Sequence, residues 1–379
     1  MDIKPTKSPS HPQIFDLSEA ADRAKFKRIS YVHVVDEFRA QLRELFTIQN
    51  PELMYDAMLE QKFEKSLPKK PLWQMGKWVF FPWNSTVVHI LVKKDFHTVR
   101  TARNRNLITA QEQRVLSQST VGIVGLSIGS SVALALALQG VGKRIKLADN
   151  DSLDLSNLNR VPAGIRALGV PKVELAARMT YEIDPYARVE LFPDGLTEAN
   201  MKQFFKDLDV MVDESDTFSI KQLLRERARE ARIPVISGAD VGERAVVSVE
   251  RYDKDQKTRP FHGKISLSKD EMSKLDKRAI GRLIAGSVGL EHHSTRMLTW
   301  PKELGKKGGV VSFPQLGGSA LLNGSTVAFC VRHVLLGSAV INGSRCVALD
   351  HSFIEPSHFE REAAIHKKAL GEFTELFGL

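Results

Sequence analysis

From Ser119 onward the chain repeats one grammar: an apolar run of strand length, a glycine-bearing turn, then a stretch of helical spacing. Such alternation is satisfied by parallel strands joined through crossover helices, which makes the fold class α/β. Residues 120–124 lead through glycines into a helix ending near Gln139, residues 144–148 follow, and a loop runs to a second helix over 172–183. Further strands are predicted at 189–192, 210–213, 235–237 and 245–252, with a helix at 219–231. The last two strands have no helix between them, so the sheet is predicted to be mixed but mainly parallel, a Rossmann-like arrangement. Residues 253–309 read as charged and irregular, and helices at 320–336 and 358–377 close the domain.

The N-terminal third reads differently. Pro5, Pro9 and Pro12 mark residues 1–15 as a flexible arm. Residues 35–65 carry apolar side chains at helical spacing, broken into two helices at Asn50-Pro51. Runs at 77–81 and 87–92 flank Pro82-Trp83-Asn84-Ser85 and predict a hairpin. The expected division is a small α+β unit over 1–105 and an α/β domain over 106–379.

Composition narrows the class. A hydrophobic content of 42% excludes a wholly disordered chain. Two cysteines, Cys330 and Cys346, cannot supply a disulfide framework or a four-cysteine zinc site, and no C-x-x-C pair occurs, so no zinc is expected. The apolar run 132–138 is far shorter than the roughly 20 residues of a membrane span. Prolines and charges stand where a signal peptide needs an apolar stretch, and the expected location is cytoplasmic. A net charge of +9, without a dense Arg/Lys block, is compatible with an RNA or acidic-peptide partner and equally with a generic basic surface, and decides nothing by itself; no DNA or membrane partner is expected and transfer RNA stays open.

The first turn carries the chemistry. Gly125, Ser127 and Gly129 follow a buried strand and open a helix, where backbone N–H groups meet an anion and glycine lets phosphate approach closely. Asp149, at the end of the second strand, stands where an acid binds ribose hydroxyls. Serine replaces glycine at 127 and 130 of the dinucleotide fingerprint, so the motif by itself fits a nucleotide loop or an ordinary tight βα turn, and a nicotinamide-dependent oxidoreductase is among the alternatives.

The continuation adds Asp149-Asn-Asp151, Ser156-Asn157-Leu-Asn-Arg160 and Gly169-Val-Pro-Lys172. Over residues 100–340 the chain resembles the ubiquitin-activating-type superfamily of adenylating enzymes, the ThiF, MoeB and HesA group. The resemblance implies ATP and Mg²⁺ as cofactors, with Asp149 and Asp151 at the ribose end and Asn157, Arg160 and Lys172 on the triphosphate. It places Mg²⁺ on Asp216, in Asp213-Glu-Ser-Asp216, and an arginine finger for a partner subunit at Arg103 or Arg105, implying a homodimer. Cations suit the task, because attack on the α-phosphate spreads negative charge that fixed positive groups stabilise.

Two departures follow. The C-x-x-C zinc ligands and acyl-accepting cysteine of many relatives are absent, and Cys330 and Cys346 read as small buried residues, so an activated acyl group is expected to be captured directly. The chain thereby resembles the zinc-free members that modify ribosomal precursor peptides. Its implied substrate is a Glu or Asp side chain, or the C-terminus, of such a peptide, with the N-terminal hairpin edge as a peptide clamp or a structural cap. A sulfur-carrier or ubiquitin-like protein, and a transfer-RNA-modifying dehydratase of the same superfamily, are the alternatives. His292 and His293, beside Glu291, read as exposed loop histidines or as a base or metal ligand; His262 and Lys264 receive no role.

Overall fold

The computed structural model describes residues 11–265, 277–304, 306–307 and 312–377. They form two compact units, one made of residues 11–113 with Ala177–Ala187, the other of Arg114–Ala176 with the chain from Arg188 on.

In the first unit the expected hairpin is present, β3 (Lys77–Phe81) antiparallel to β4 (Thr86–Ile90), but it lies inside a four-stranded sheet. The strand β1 (Gln13–Phe15) pairs with β3, and β2 (His33–Val35) runs parallel to β4. Two expectations are thereby corrected. The end of the supposed flexible arm is a strand, because Phe15 joins Trp78, Phe80 and Val87 in a core cluster. The hairpin has no free edge to offer a peptide, since its two flanks are already paired; the outer edges belong to β1 and β2. Helix α1 (Ala20–Phe26) precedes β2, and the expected pair appears as α2 (Phe38–Gln49) and α3 (Leu59–Ser66), separated at Pro51, which has no N–H to continue a helix. His89 is a core residue, stacked between Phe38 and Trp78 with ring centroids at 4.0 and 4.2 Å. Helix α4 (Lys93–Arg100) is tied to the Ala177–Ala187 segment, where Asp184 accepts from His97 at 3.0 Å and from Arg100 at 3.2 Å.

After α5 (Ala110–Leu116), the second unit builds a seven-stranded sheet. The parallel strands are β5 (Thr120–Val124), β6 (Arg144–Ala148), β7 (Arg188–Phe192), β8 (Val210–Asp213) and β9 (Val235–Val241). The strands β10 (Arg244–Glu250) and β11 (Gly343–Ala348) extend it antiparallel, giving the mixed sheet expected. Its order is β11-β10-β9-β8-β5-β6-β7. The chain proceeds outward from β5 to β7, then returns to place β8 on β5's other side, so the connections diverge at the carboxyl ends of β5 and β8 and open a crevice there.

Helices α6 (Gly129–Gln139), α8 (Glu198–Phe205) and α9 (Phe218–Ala231) cover the sheet, and α7 (Lys172–Ile183) starts in this unit and continues into the first. All five residues of β5 are buried, as a central parallel strand requires. Phe192, Phe204, Met211 and Leu224 fill one core cluster, each fully buried side chain contributing roughly 1.5–3 kcal/mol. Lys146 looks misplaced in a buried strand, yet its ammonium donates to the carbonyls of Gln203, Phe204 and Lys206 at 2.7–3.0 Å and so caps α8. The helix Gly317–Leu335 crosses β9 so closely that a Cβ on Gly238 would lie 2.0 Å from Asn323 Oδ1.

The stretch 253–309, expected to be irregular, contains the helices Lys277–Val288 and Thr295–Thr299 among its described residues. Their apolar sides, including Ala285 and Leu298, are buried with Ala369 and Phe373 of the C-terminal helix Pro356–Phe377. Dense local charge hid that stripe in the sequence. No helix among the described residues is long and apolar enough to cross a membrane.

Candidate functional site

The turn after β5 begins at Gly125, whose φ of +83° only glycine adopts freely and whose added Cβ would lie 2.4 Å from the Glu214 carbonyl oxygen. The phosphate-type loop is thus pressed against the end of β8. Gly129 opens α6, and the first turn of that helix carries no acidic residue, so its free N–H groups keep their positive potential for an anion. Asp149 is buried and accepts two backbone hydrogen bonds, from Leu126 N–H at 2.5 Å and Asp151 N–H at 2.8 Å. Burial pushes its carboxyl above the usual range against the pull of those amides.

Two cations line the same cleft. Arg160 Nε donates to Ser127 Oγ at 2.8 Å, and Lys172, itself buried at the start of α7, donates to Asp151 Oδ2 at 2.7 Å. Asn157 is buried, and its Oδ1 accepts the Asp154 N–H at 3.1 Å, which fixes the short helix Leu155–Asn159 in front of Arg160. Asn159 Nδ2 donates to the Gln315 carbonyl at 2.9 Å, while Gln315 Nε2 donates to Asp240 at 3.2 Å, joining this segment to β9. Gly125, Ser127, Asp149, Asp151, Asn157, Arg160, Lys172 and Asp216 line one cleft of about 1400 Å³ at the divergence of β5 and β8. Arg103 and Arg105 are exposed residues of the first unit.

Acidic groups close the far wall. Asp213, fully buried at the end of β8, meets a heavy cost of burial, yet Lys221 and Arg225 hold its carboxyl well below the usual range. Asp216 is exposed on the cleft and accepts from Thr217 Oγ1 at 3.2 Å. No cluster of three or more His, Cys, Asp or Glu suited to a metal is present among the described residues. One carboxylate lining the same cleft as the Gly125–Gly129 loop nevertheless has the chemistry for Mg²⁺, which takes one or two carboxylates and completes its shell with phosphate oxygens and water.

Sequence reasoning missed Glu214. Both its carboxylate oxygens are shut off from solvent, and burial, with Asp213 and Asp240 nearby, pushes its carboxyl well above the usual range against the pull of Lys221 and the Gly238 N–H. It also missed Arg225, fully buried, whose Nη1 donates to Asp213 at 2.6 Å and whose Nε lies 2.8 Å from Glu250 Oε2. The ring of Phe261 covers that guanidinium at 4.0 Å. These partners come from β8, α9, β10 and a later loop, a convergence with no local signature.

The histidines divide. His293 is buried rather than exposed, because its Nδ1 pairs with the Gly289 carbonyl at 3.1 Å inside the cleft wall, and burial lowers its basicity. His292 is half-buried, 3.6 Å from Glu291. His262 Nε2 stands 3.2 Å from Ser248 Oγ, and Lys264 donates to the Ser287 carbonyl at 3.2 Å. Cys330 and Cys346 are half-buried free thiols outside the cleft lining, with burial raising the pKa of each.

Similar proteins bear on the assignment. An uncharacterised protein of Mycobacterium tuberculosis, MT1398, is 34% identical over 316 residues, 82% of this chain and 41% of its own length. A probable molybdopterin-synthase adenylyltransferase of Porphyra purpurea is 28% identical over 48% of each chain. A tRNA threonylcarbamoyladenosine dehydratase of Bacillus subtilis is 37% identical over 36% of this chain and 54% of its own. The chain thus spans about half the length, or less, of these curated relatives. A solved structure of PaaA matches with a TM-score of 0.49 at 20% identity, covering 82% of this chain and 92% of that one. The ThiF family model matches residues 101–290, half of the chain and the segment that carries the loop, Asp149, Arg160, Lys172 and Asp216, and the chain belongs to the ThiF family.

Proposed function

We propose that the chain is an ATP-dependent adenylating enzyme acting on a substrate carboxylate. The observation that carries this reading is one cleft in which Arg160 is bound to Ser127 of the loop that opens α6 and Lys172 to Asp151 beside the buried Asp149. An oxygen of the carboxylate attacks the α-phosphorus, the bond to the bridging oxygen of the β-phosphate breaks, and pyrophosphate leaves with the electron pair. Arg160, Lys172 and the α6 amides stabilise the charge that spreads over the phosphates, without having to reorganise. Asp216 would hold Mg²⁺, which neutralises phosphate charge.

The acyl adenylate is then captured directly, releasing AMP. Neither thiol lies in the cleft lining, which supports capture by a nucleophile of the substrate itself rather than through an enzyme thioester. The carboxylate is assigned to a Glu or Asp side chain, or the C-terminus, of a ribosomally made precursor peptide. The first unit would hold that peptide along β2, an edge strand with exposed Val34 and Val35. A homodimer, with Arg103 or Arg105 entering the partner's site, completes the proposal. The relative named as a tRNA dehydratase supports a second reading, in which the carboxylate is carried on transfer RNA; binding would then weaken steeply with salt. The test is pyrophosphate exchange into ATP: substrate-dependent exchange, lost in Asp216→Ala with ATP still bound, supports adenylation, and exchange retained by that variant removes the magnesium assignment.

A further inference from the structure

The cleft continues well beyond its nucleotide end. Successive residues of a strand face opposite sides, so with Gly238 packed against Asn323, Ser237 turns to the other face of β9. There the register aligns Ser237 with Ser248 of β10 and Ser248 with Ser344 of β11, a row of hydroxyls across three strands. Ser237 is itself paired with Asp213, so the row begins at the level where β8 ends and the site residues start. Ser344 Oγ donates to Ser248 Oγ at 3.0 Å, and Arg225 Nη2 donates to Ser237 Oγ at 3.3 Å. All three serines line the cleft.

Apolar side chains share the cleft lining with this row. Phe218 and Phe261 stack with centroids 5.1 Å apart, and Val246 and Phe373 line the same cleft. Phe261 and His262 hold φ values of +54° and +53°, strained for residues other than glycine. The strain is held by the Phe261 N–H bond to Glu250 at 2.7 Å and by the His262 contact with Ser248. A backbone kept in that state fixes the wall before anything binds. Arg225, the buried cation at the chamber, is matched by Asp213 and Glu250, so the space favours a neutral polar group over a second charge.

We propose that this chamber receives the side chain of the acyl substrate, and that the activated carboxylic acid therefore carries a bulky apolar body ending in an uncharged hydrogen-bonding group that reaches the Ser237, Ser248 and Ser344 row. The inference rests on the adenylation reading and, within it, selects an α-carboxylate such as a peptide C-terminus over a Glu or Asp side chain. A diglycine tail would leave the chamber empty of contacts. A hydroxylated side chain would find donors and acceptors in a row and aromatic surface on either side, the combination from which pockets draw specificity.

The experiment is pyrophosphate exchange by the full chain with N-acetyltyrosine, N-acetylphenylalanine, N-acetylglycylglycine and the tripeptide Ala-Ala-Tyr. Tyrosine acids are expected to exceed the phenylalanine acid, and both to exceed acetylglycylglycine by about tenfold or more in kcat/KM. Ser248→Ala and, on the outer strand, Ser344→Ala should each cut the tyrosine response by about tenfold. ATP affinity, read by calorimetry, and the circular dichroism spectrum should stay unchanged. Response to acetyltyrosine points to a free acid, and response to the tripeptide alone to a peptide; both support the chamber. Acetylglycylglycine at or above the bulky acids, no response to any bulky acid by an enzyme that binds ATP, or two folded serine variants with unchanged response would overturn it. Absence of ATP binding is a separate outcome that removes the adenylation reading and this inference with it.

Discussion

Asp149 and Leu126 are joined by a 2.5 Å hydrogen bond in which the loop amide after β5 donates to the acid at the end of β6. The acid proposed for the ribose and the loop proposed for the phosphates are therefore set as one piece. Asp149→Asn keeps the shape but loses the charge that holds two amides, a loss of about 1.5–3 kcal/mol where hydrogen bonds reach a charged group. ATP affinity should fall by about ten- to a hundredfold in calorimetry, whereas unchanged affinity would detach Asp149 from the nucleotide.

In the proposed reaction Lys172 and Arg160 act on charge that grows as pyrophosphate departs. Lys172→Met and Arg160→Ala should each lower the exchange rate by about 10²–10³-fold, the loss typical of removing one preorganised charge-stabilising group. ATP binding should weaken much less. A parallel loss of binding and rate would instead make them ground-state contacts.

A thioester route requires a thiol at the reacting carbon, and Cys330 and Cys346 lie outside the cleft lining. The double variant Cys330→Ser, Cys346→Ser should turn over within about twofold of the parent, on the order of 0.4 kcal/mol in the barrier. Loss of turnover by a folded double variant would revive the acyl-enzyme.

The free edge of β2 can be tested by charge. Val34→Lys, on an exposed position of the outer strand, should raise the KM for a peptide substrate about tenfold if an added strand pairs there, with the ATP dissociation constant unaltered. An unchanged KM would make the first unit a cap on something other than peptide.

Arg244 grips Asp350 through Nε and Nη2, the latter at 2.7 Å, with both side chains largely buried. Burial alone would raise the Asp350 carboxyl, but the guanidinium holds it below its ordinary value. A carboxyl lowered by folding contributes stability above its unfolded pKa of about 3.9 and loses it as pH falls through the folded value. Asp350→Asn should therefore cost about 3 kcal/mol in urea unfolding at pH 7, with the gap from the parent narrowing as pH falls below about 4. A gap independent of pH would show that packing, not charge, holds the pair.

The elements that repeat a period of their own were readable before any contact was known, among them the order β5, α6, β6, α7 and the hairpin β3 and β4. The strands β1 and β2 were not, because each has three residues and exists only through its pairing with β3 or β4. The residues from Gly125 to Lys172 stood out because motif and spacing lie in one stretch of chain. Glu214 lay beside a recognised aspartate yet carried no sign that its carboxylate is buried, which depends on β8 and β9 packing around it. The serine row was invisible for a sharper reason: Ser237, Ser248 and Ser344 are ordinary residues until two antiparallel registers bring them level.

The most direct test of the central claim is to identify the nucleotide products formed from Mg·ATP when the full chain meets precursor peptides, a carrier protein ending in Gly-Gly, or total transfer RNA. The account predicts AMP and pyrophosphate in equal amounts with a peptide carboxylate. No ATP cleavage with any of the three, together with tight NAD binding in the same cleft, would contradict it and return the glycine loop to an oxidoreductase.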